Sequence, residues 1–144
     1  MNSDINIMPQ PGYQYQFLTS RADIVIGGGA AGSGKTSSLL LDILKAAMIG
    51  PQFGGIVFRR TYPEIMQVGG LWDESKKLYP YAGAAPTEGR ESWKFKEGGK
   101  VVFSHLQYEK DLIHNDLQRV LNSNHRFFDF AYSITSGFFA FHFS

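Results

Sequence analysis

A glycine-rich loop between an apolar strand and an apolar helix constrains the fold of this chain more than any other feature. The loop is Gly29-Ala30-Ala31-Gly32-Ser33-Gly34-Lys35-Thr36, and it fits the pattern G-x-x-x-x-G-K-[ST] at every position. Residues 22–26 before it have the composition of a buried strand, and residues 37–48 after it carry an apolar stripe at helical spacing. Strand, glycine loop and helix in this order predict a loop that binds phosphate.

The residue types in the loop explain why it suits a nucleoside triphosphate. Glycines let successive backbone N–H groups turn toward one anion, and the helix that follows directs its positive end at the same place. Lys35 would place an ammonium group on the β- and γ-phosphates, and Thr36 would offer its hydroxyl to a magnesium ion. The sequence therefore predicts that ATP and Mg²⁺ are the cofactors.

Composition limits the other classes of protein that the chain could represent. With 144 residues it has the length of a single domain, and its net charge of +1 gives no overall electrostatic sign of a nucleic-acid or membrane partner. It has no cysteine, so disulfides and thiolate metal sites are excluded. No stretch has the apolar length of a membrane span, and residues 1–12 do not have the pattern of a secretory signal. We therefore expect a cytosolic protein.

A second apolar strand follows the first helix and sets the expected fold class. Residues 55–58 form this strand, and one helix between two apolar strands indicates a βαβ unit with a parallel sheet. We expect a three-layer α/β P-loop NTPase domain with a mainly parallel sheet, in truncated form. Residues 1–20 are expected to be an irregular lead-in segment anchored at Phe17 and Leu18.

Further along the chain, the pattern predicts one more helix and one hairpin. The helix is expected around residues 71–78, with acidic residues early and basic residues late. Residues 92–96 and 100–105 alternate around Glu97-Gly98-Gly99, which indicates a β-hairpin. We expect its aromatic face to pack in the core rather than to stack on bases.

Two arginines leave the second strand at its carboxyl end, where open α/β sheets bind ligands. They are Arg59 and Arg60, and either one could face phosphate, DNA or a neighbouring subunit. The alternative is that both pair with carboxylates at the surface. The sequence does not choose between these interpretations.

With these motifs in place, the chain resembles the large subunit of tailed-phage terminases, the ATP-driven motor that packages DNA into procapsids. The glycine loop alone fits many families, whereas its combination with Phe58-Arg59-Arg60-Thr61-Tyr62-Pro63 and with His105-Leu106-Gln107-Tyr108-Glu109-Lys110 is much narrower. Four stretches within residues 9–111 carry the resemblance, namely 9–14 with 17–18, 24–36, 57–64 with 69–72, and 103–111.

The resemblance implies roles for individual residues. Lys35 and Thr36 take the phosphate and magnesium roles, and Gln14 lies where such motors often read the adenine edge. Arg59 or Arg60 would act as a phosphate sensor or as a contact to the next subunit. The implied partners are double-stranded DNA, a portal protein, a small terminase subunit and further copies of the chain in a homo-oligomeric ring. The implied location is the cytoplasm of the infected or lysogenic bacterial host.

The resemblance ends after Asp111, and this divides the chain into three segments. These are the lead-in, residues 1–20; a partial P-loop ATPase domain, residues 21–111; and an aromatic tail, residues 112–144. The family would present an apolar strand that ends in Asp-Glu, which holds the metal shell and activates the attacking water. Here Asp129 is the candidate metal ligand, and Phe130 stands in the place of the glutamate. A later coupling motif and a nuclease carboxylate cluster are also missing.

The tail itself allows two interpretations. It carries seven of the twelve phenylalanines, and residues 130–144 contain no charged residue. One alternative is an aromatic strand pair in a diverged domain. The other, which we favour, is a reading frame that shifts between about residues 112 and 125.

Three functions follow from these observations. The leading hypothesis is the ATP-binding part of a terminase large subunit, with weak nucleotide binding and little or no turnover because the glutamate is absent. A non-catalytic nucleotide-binding remnant is the second. A small nucleotide or metabolite kinase is the third, and the sequence after residue 60 lacks the arginine-rich lid that it would need.

Overall fold

The computed structural model describes residues 6–22, 24–28, 32–48, 53–87 and 89–107, together with the backbone of two later strands. The helices in these ranges are α1 (Tyr13–Thr19), α2 (Lys35–Ala47), α3 (Tyr62–Met66), α4 (Leu71–Lys76) and a 3₁₀ turn at Tyr79–Ala82. The strands are β1 (Ile24–Gly28), β2 (Phe53–Arg59), β3 (Ala85–Thr87), β4 (Ser92–Lys94), β5 (Lys100–His105), β6 (Phe127–Ile134) and β7 (Gly137–Phe143).

These strands form one mixed sheet in the order β1-β7-β6-β2-β5-β4-β3. β2 pairs in parallel with β6 on one side and with β5 on the other. The other four pairings, β1–β7, β7–β6, β5–β4 and β4–β3, are antiparallel. The chain is thus a mixed α/β domain.

The expectation of a mainly parallel sheet is wrong, and the connections between strands explain why. Only two residues separate β6 from β7, and so short a connection requires an antiparallel pair. β7 therefore lies antiparallel between β1 and β6. The β1–α2–β2 unit is present with both strands running in one direction, but the strands are not neighbours.

The register brings four strand ends to one edge of the sheet. Gly28 at the end of β1 pairs with Gly137, and Gly137 pairs with Ile134 at the end of β6. On β2, Arg59 pairs with Ser133 of β6 and with His105 of β5. The carboxyl ends of β1, β6, β2 and β5 therefore meet where the glycine loop leaves β1.

The described helices pack against one face of the sheet. Their buried apolar side chains join those of β2, β4 and β5 in a single cluster, which includes Leu40, Ile43, Ile65, Trp72, Tyr79, Val57, Trp93 and Phe103. The expected burial of the hairpin's aromatic face is confirmed, because Trp93, Phe95 and Phe103 are each almost fully buried. Tyr79 and Trp72 contact these rings at centroid distances of 5.3 to 6.3 Å.

The third layer that we expected is not found among the described residues. Side chains on the other face of β2 and β5, such as Ile56 and Val102, are buried, but no described helix covers them. At the edge of the same face, Ile24 and Ile26 of β1 are 56% and 70% exposed. The described part of the domain therefore has two layers.

Local patterns gave several elements correctly. β1, α2, β2, α4 and the β4–β5 hairpin all lie where we expected them, with boundaries shifted by a few residues. Within α2 the apolar stripe is buried except for Met48, which follows the helix and is exposed. None of the helices in the described ranges reaches the length and hydrophobicity that a bilayer crossing requires.

The lead-in segment differs from its expectation. Residues 13–19 form helix α1 rather than irregular chain, with Gly12 at φ +92° immediately before the helix. Phe17 is buried as expected, and it packs in the core cluster. In the tail, residues 127–134 and 137–143 form the antiparallel strand pair β6–β7.

Candidate nucleotide-binding site

Two glycines in the second half of the glycine loop have left-handed backbone conformation. Gly32 has φ +79° and Gly34 has φ +78°, values that favour glycine because other residues meet steric strain there. Helix α2 begins immediately after Gly34, and its first intrahelical bond runs from the Ser38 N–H to the Gly34 carbonyl. The N–H groups of residues 35–37 therefore point out of the helix start. Gly29, Ala30 and Ala31 lie outside the described residues.

Lys35 is the first residue of α2 and is only 9% exposed. Its Nζ donates a hydrogen bond to the hydroxyl of Ser33, at 3.2 Å. This contact folds the ammonium group back over the end of the glycine loop. The helix dipole is positive at its N-terminus, so Lys35 and the helix start both favour an anion at this place.

Thr36 and Arg59 are in direct contact. The Nη2 of Arg59 donates a hydrogen bond to Thr36 Oγ1, at 2.8 Å. Arg59 is the last residue of β2, so the pairing of that strand with β5 and β6 fixes where its backbone lies. The contact brings two residues that we singled out separately, 23 positions apart, to the same point at the sheet edge.

The Arg59 guanidinium is partly buried, and this burial affects its pKa. Burial lowers the pKa of Arg59 from its ordinary value, and the nearby Glu64 carboxylate acts in the opposite direction. Its Nε is buried without a hydrogen-bond partner among the described residues. Arg60, by contrast, is exposed. Of the two candidate arginines, Arg59 is the one that lies beside the glycine loop.

Gln14 lies at the loop as well, but its amide is engaged by the protein. The Nε2 donates to the Gly34 carbonyl at 3.4 Å, and the Oε1 accepts from the Gln10 backbone N–H at 2.9 Å. The side chain is 7% exposed. A Cβ on Gly34 would lie 2.5 Å from Gln14 Nε2, so the approach also depends on glycine at that position. The geometry shows Gln14 supporting the loop.

Asp129 is not brought to this edge. It pairs with Gly55 in the first half of β2, whereas the edge lies at the level of Arg59 and Ser133. Four residues along a strand correspond to roughly 13 Å. The backbone register thus separates Asp129, the candidate metal ligand, from Thr36 and from the end of the glycine loop.

Three further residues at this edge were not predicted as site residues from the sequence. The Tyr62 hydroxyl donates to Glu91 Oε1 at 2.8 Å, and this hydrogen bond, with a smaller contribution from burial, raises the pKa of Tyr62. The Tyr62 ring meets the His105 ring edge-on, with centroids 6.0 Å apart. Glu91 has φ +42°, which is strained for a residue other than glycine. Because Tyr62, Glu91 and His105 lie in three separate segments of the chain, no local sequence pattern predicts that Tyr62 contacts the other two.

A helix start beside Arg59 did carry a readable signal. Thr61 and Glu64 have the spacing of a capping box, and the Thr61 N–H donates to Glu64 Oε2 at 2.9 Å. This bond fixes the start of α3 and holds the Glu64 carboxylate close to the Arg59 guanidinium. The pattern Thr-x-x-Glu after a strand would have predicted the helix.

The described residues fit a phosphate group. Two left-handed glycines, the helix start and a buried lysine together give backbone N–H donors and a positive charge at one point. They also fit Mg²⁺ in part, since this ion is commonly held by one or two protein oxygens with phosphate and water completing its shell. Thr36 Oγ1 would be the protein ligand. In the described ranges, no group of three His, Asp or Glu side chains forms a separate metal site.

Comparison with known proteins adds no family to this geometry: no family model matches the chain, and no curated protein or solved structure is significantly similar to it.

Proposed function

We propose that this chain binds ATP with Mg²⁺ at the glycine loop. One observation carries the proposal: the loop motif leads, through two left-handed glycines, directly into a helix whose first residue is the buried Lys35. Backbone N–H groups and the lysine would hold the β- and γ-phosphates. Bound magnesium would neutralise charge on those phosphates, with Thr36 as its protein ligand.

The chain's own residues supply binding better than they supply hydrolysis. Lys35 and the helix start orient the phosphates, and Arg59 adds a second positive charge beside Thr36. Hydrolysis would also need a carboxylate that takes a proton from the attacking water. The described carboxylate whose charge acts on Arg59, that of Glu64, is engaged by the Thr61 N–H. The proposal is accordingly a nucleotide-binding protein with little or no turnover.

The broader proposal is that this chain is the N-terminal ATPase part of a phage terminase large subunit. It rests on the resemblance within residues 9–111, with the sheet edge described above as the place where nucleotide would act. Double-stranded DNA, a portal protein, a small terminase subunit and other copies in a ring would be the partners. The site of action would be the cytoplasm of the bacterial host.

Equilibrium binding of a fluorescent ATP analogue in the presence of Mg²⁺ tests the proposal. Lys35→Ala removes the phosphate-binding ammonium group, and we expect it to weaken binding by about 10- to 100-fold, which is the loss of one charge-assisted hydrogen bond. Lys96→Ala is the matched control, because Lys96 is exposed in the hairpin turn. It should bind as the unmodified chain does.

Two results would contradict nucleotide binding at this loop. One is the absence of saturable binding by the unmodified chain. The other is equal binding by the Lys35→Ala and Lys96→Ala variants when circular dichroism shows that both are folded. Release of inorganic phosphate from ATP, measured on the same samples, separates a binding protein from a hydrolase.

A further inference from the structure

Arg59 contacts the hydroxyl oxygen that would bind the metal ion, and this suggests a role beyond general attraction of phosphate. We infer that Arg59 supplies the positive charge beside Thr36 when magnesium is absent, so that the loop binds a nucleoside triphosphate with little dependence on the metal. The inference rests on the proposed nucleotide site. It concerns how this chain's own side chain replaces the metal's charge there.

Arg59 contacts the same oxygen atom, Thr36 Oγ1, that a bound magnesium ion would use. Arg59 Nη2 donates to Thr36 Oγ1 at 2.8 Å, a normal length for a strong hydrogen bond. A bound Mg²⁺ would use the same oxygen, at about 2.0 to 2.1 Å. Two cations on one hydroxyl repel each other, so Arg59 and magnesium occupy that position in turn.

Arg59 has hydrogen-bond donors left after its contact with Thr36. A guanidinium group carries five N–H donors in a planar fork that suits phosphate oxygens. One is used by Thr36, and the buried Nε has no partner in the described part of the chain. Nε is enclosed by the protein, so a phosphate oxygen at the loop would be bound by the remaining Nη donors of the fork.

Strand β2 fixes the backbone from which the Arg59 guanidinium extends. The Arg59 carbonyl accepts a hydrogen bond from the Leu106 N–H at 2.9 Å, and β2 is paired on both sides at this residue. The Arg59 side chain therefore extends from a fixed backbone toward the start of α2. Arg60 follows it but is exposed, so the same charge one position along does not reach Thr36.

The test compares the dissociation constant for a fluorescent ATP analogue in Mg²⁺ and in EDTA. For the unmodified chain we expect binding in EDTA to be weaker by less than about threefold. For Arg59→Met we expect the loss in EDTA to exceed about tenfold, with a much smaller change in Mg²⁺. Arg90→Met, at an exposed arginine in the turn before β4, is the control. Its ratio of the dissociation constant in EDTA to that in Mg²⁺ should equal that of the unmodified chain.

Each remaining outcome decides either this inference or the proposed function. If the unmodified chain binds the analogue in Mg²⁺ but not in EDTA, the role of Arg59 is overturned while nucleotide binding stands. The role of Arg59 is also overturned if Arg59→Met weakens binding equally in both buffers. It is overturned too if Arg60→Met, rather than Arg59→Met, raises the ratio of the dissociation constant in EDTA to that in Mg²⁺. Absence of binding in both buffers defeats the nucleotide site itself. If Arg59→Met does not fold, Arg59→Lys retains the charge and should keep the small ratio.

Discussion

The side-chain amide of Gln14 donates a hydrogen bond to the backbone carbonyl of Gly34 across 3.4 Å, and it thereby connects helix α1 to the start of helix α2. The other end of the same amide accepts from the Gln10 N–H. Gln14 is thus held between the lead-in segment and the glycine loop. This position favours support of the loop over direct contact with a base.

Gln14→Ala separates these two roles. Removal of a buried hydrogen bond to the loop should weaken binding of fluorescent ATP and GTP analogues alike, by about fivefold, which corresponds to about 1 kcal/mol. The ratio of the two affinities should stay within about twofold of its original value. Selective loss of ATP binding would instead indicate that Gln14 reads adenine, as the family resemblance implies.

Gly34→Ala should destabilise the protein more than Gly32→Ala. Both residues have φ close to +80°, so each substitution introduces left-handed strain of about 1–2 kcal/mol. At Gly34 a Cβ would also lie 2.5 Å from Gln14 Nε2, whereas at Gly32 it would meet nothing within 4 Å in the described part of the chain. Urea unfolding of the two variants measures the difference, which should shrink when Gln14→Ala is added to Gly34→Ala. Equal destabilisation by both substitutions would contradict the close approach of Gln14.

Tyr79 should make the folded state sensitive to high pH. Burial raises the pKa of Tyr79 far above its ordinary value of 10.0, and the Asp42 carboxylate acts in the same direction. The phenol therefore stays protonated in the folded state where the unfolded chain loses its proton. The free energy of unfolding is unaffected below pH 10 by this residue, and it falls by up to about 1.4 kcal/mol per pH unit above that value.

Tyr79→Phe checks this dependence by urea unfolding between pH 8 and pH 11. The variant loses the hydrogen bond from the phenol to the Leu40 carbonyl, at 3.2 Å, and should be less stable by about 1 kcal/mol at neutral pH. Its stability should then fall less steeply above pH 10 than that of the unmodified chain. Tyr81→Phe, at an exposed tyrosine, gives the effect of removing a hydroxyl at the surface. Parallel curves for the unmodified chain and Tyr79→Phe would contradict the assignment.

A chain shortened to end at residue 126 tests the importance of the last two strands. β6 pairs with β2 at seven positions, and β7 provides the five pairs that hold β1. Without them β1 has no partner and one side of β2 is open, so we expect loss of cooperative thermal unfolding and aggregation. An unchanged melting transition would indicate that the tail adds nothing to the fold, as expected of a shifted reading frame. Translation of the coding DNA in all three frames answers that question directly.

Much of the core architecture could be predicted because it depends on local pattern. The apolar runs of β1 and β2, the helical stripe of α2 and the hairpin around Glu97-Gly98-Gly99 are each contained in a short stretch of sequence. Helix α1 was missed because Pro9, Pro11 and Gly12 indicate irregular chain just before it. Its seven residues are too few to show helical periodicity clearly.

The strand order and the contacts at the site could not be predicted in the same way. Which strand lies beside β1 depends on pairings between distant segments, and the sequence shows only that apolar strands exist. The hydrogen bond between Arg59 and Thr36 likewise depends on where β2 ends relative to α2. Charge and position indicated that an arginine lies at the ligand-binding edge, but burial was needed to choose Arg59 over Arg60.

The pairing of β1 with β7 also has a consequence in time, during synthesis of the chain on the ribosome. Ile24 lies opposite Phe141, so the strand that leads into the glycine loop finds its neighbour only after residues 137–143 have emerged. Until then β1 presents two open edges and its exposed isoleucines to solvent or to a chaperone. β1, which leads into the proposed nucleotide-binding loop, is therefore fixed in the sheet only after β7 has been synthesised.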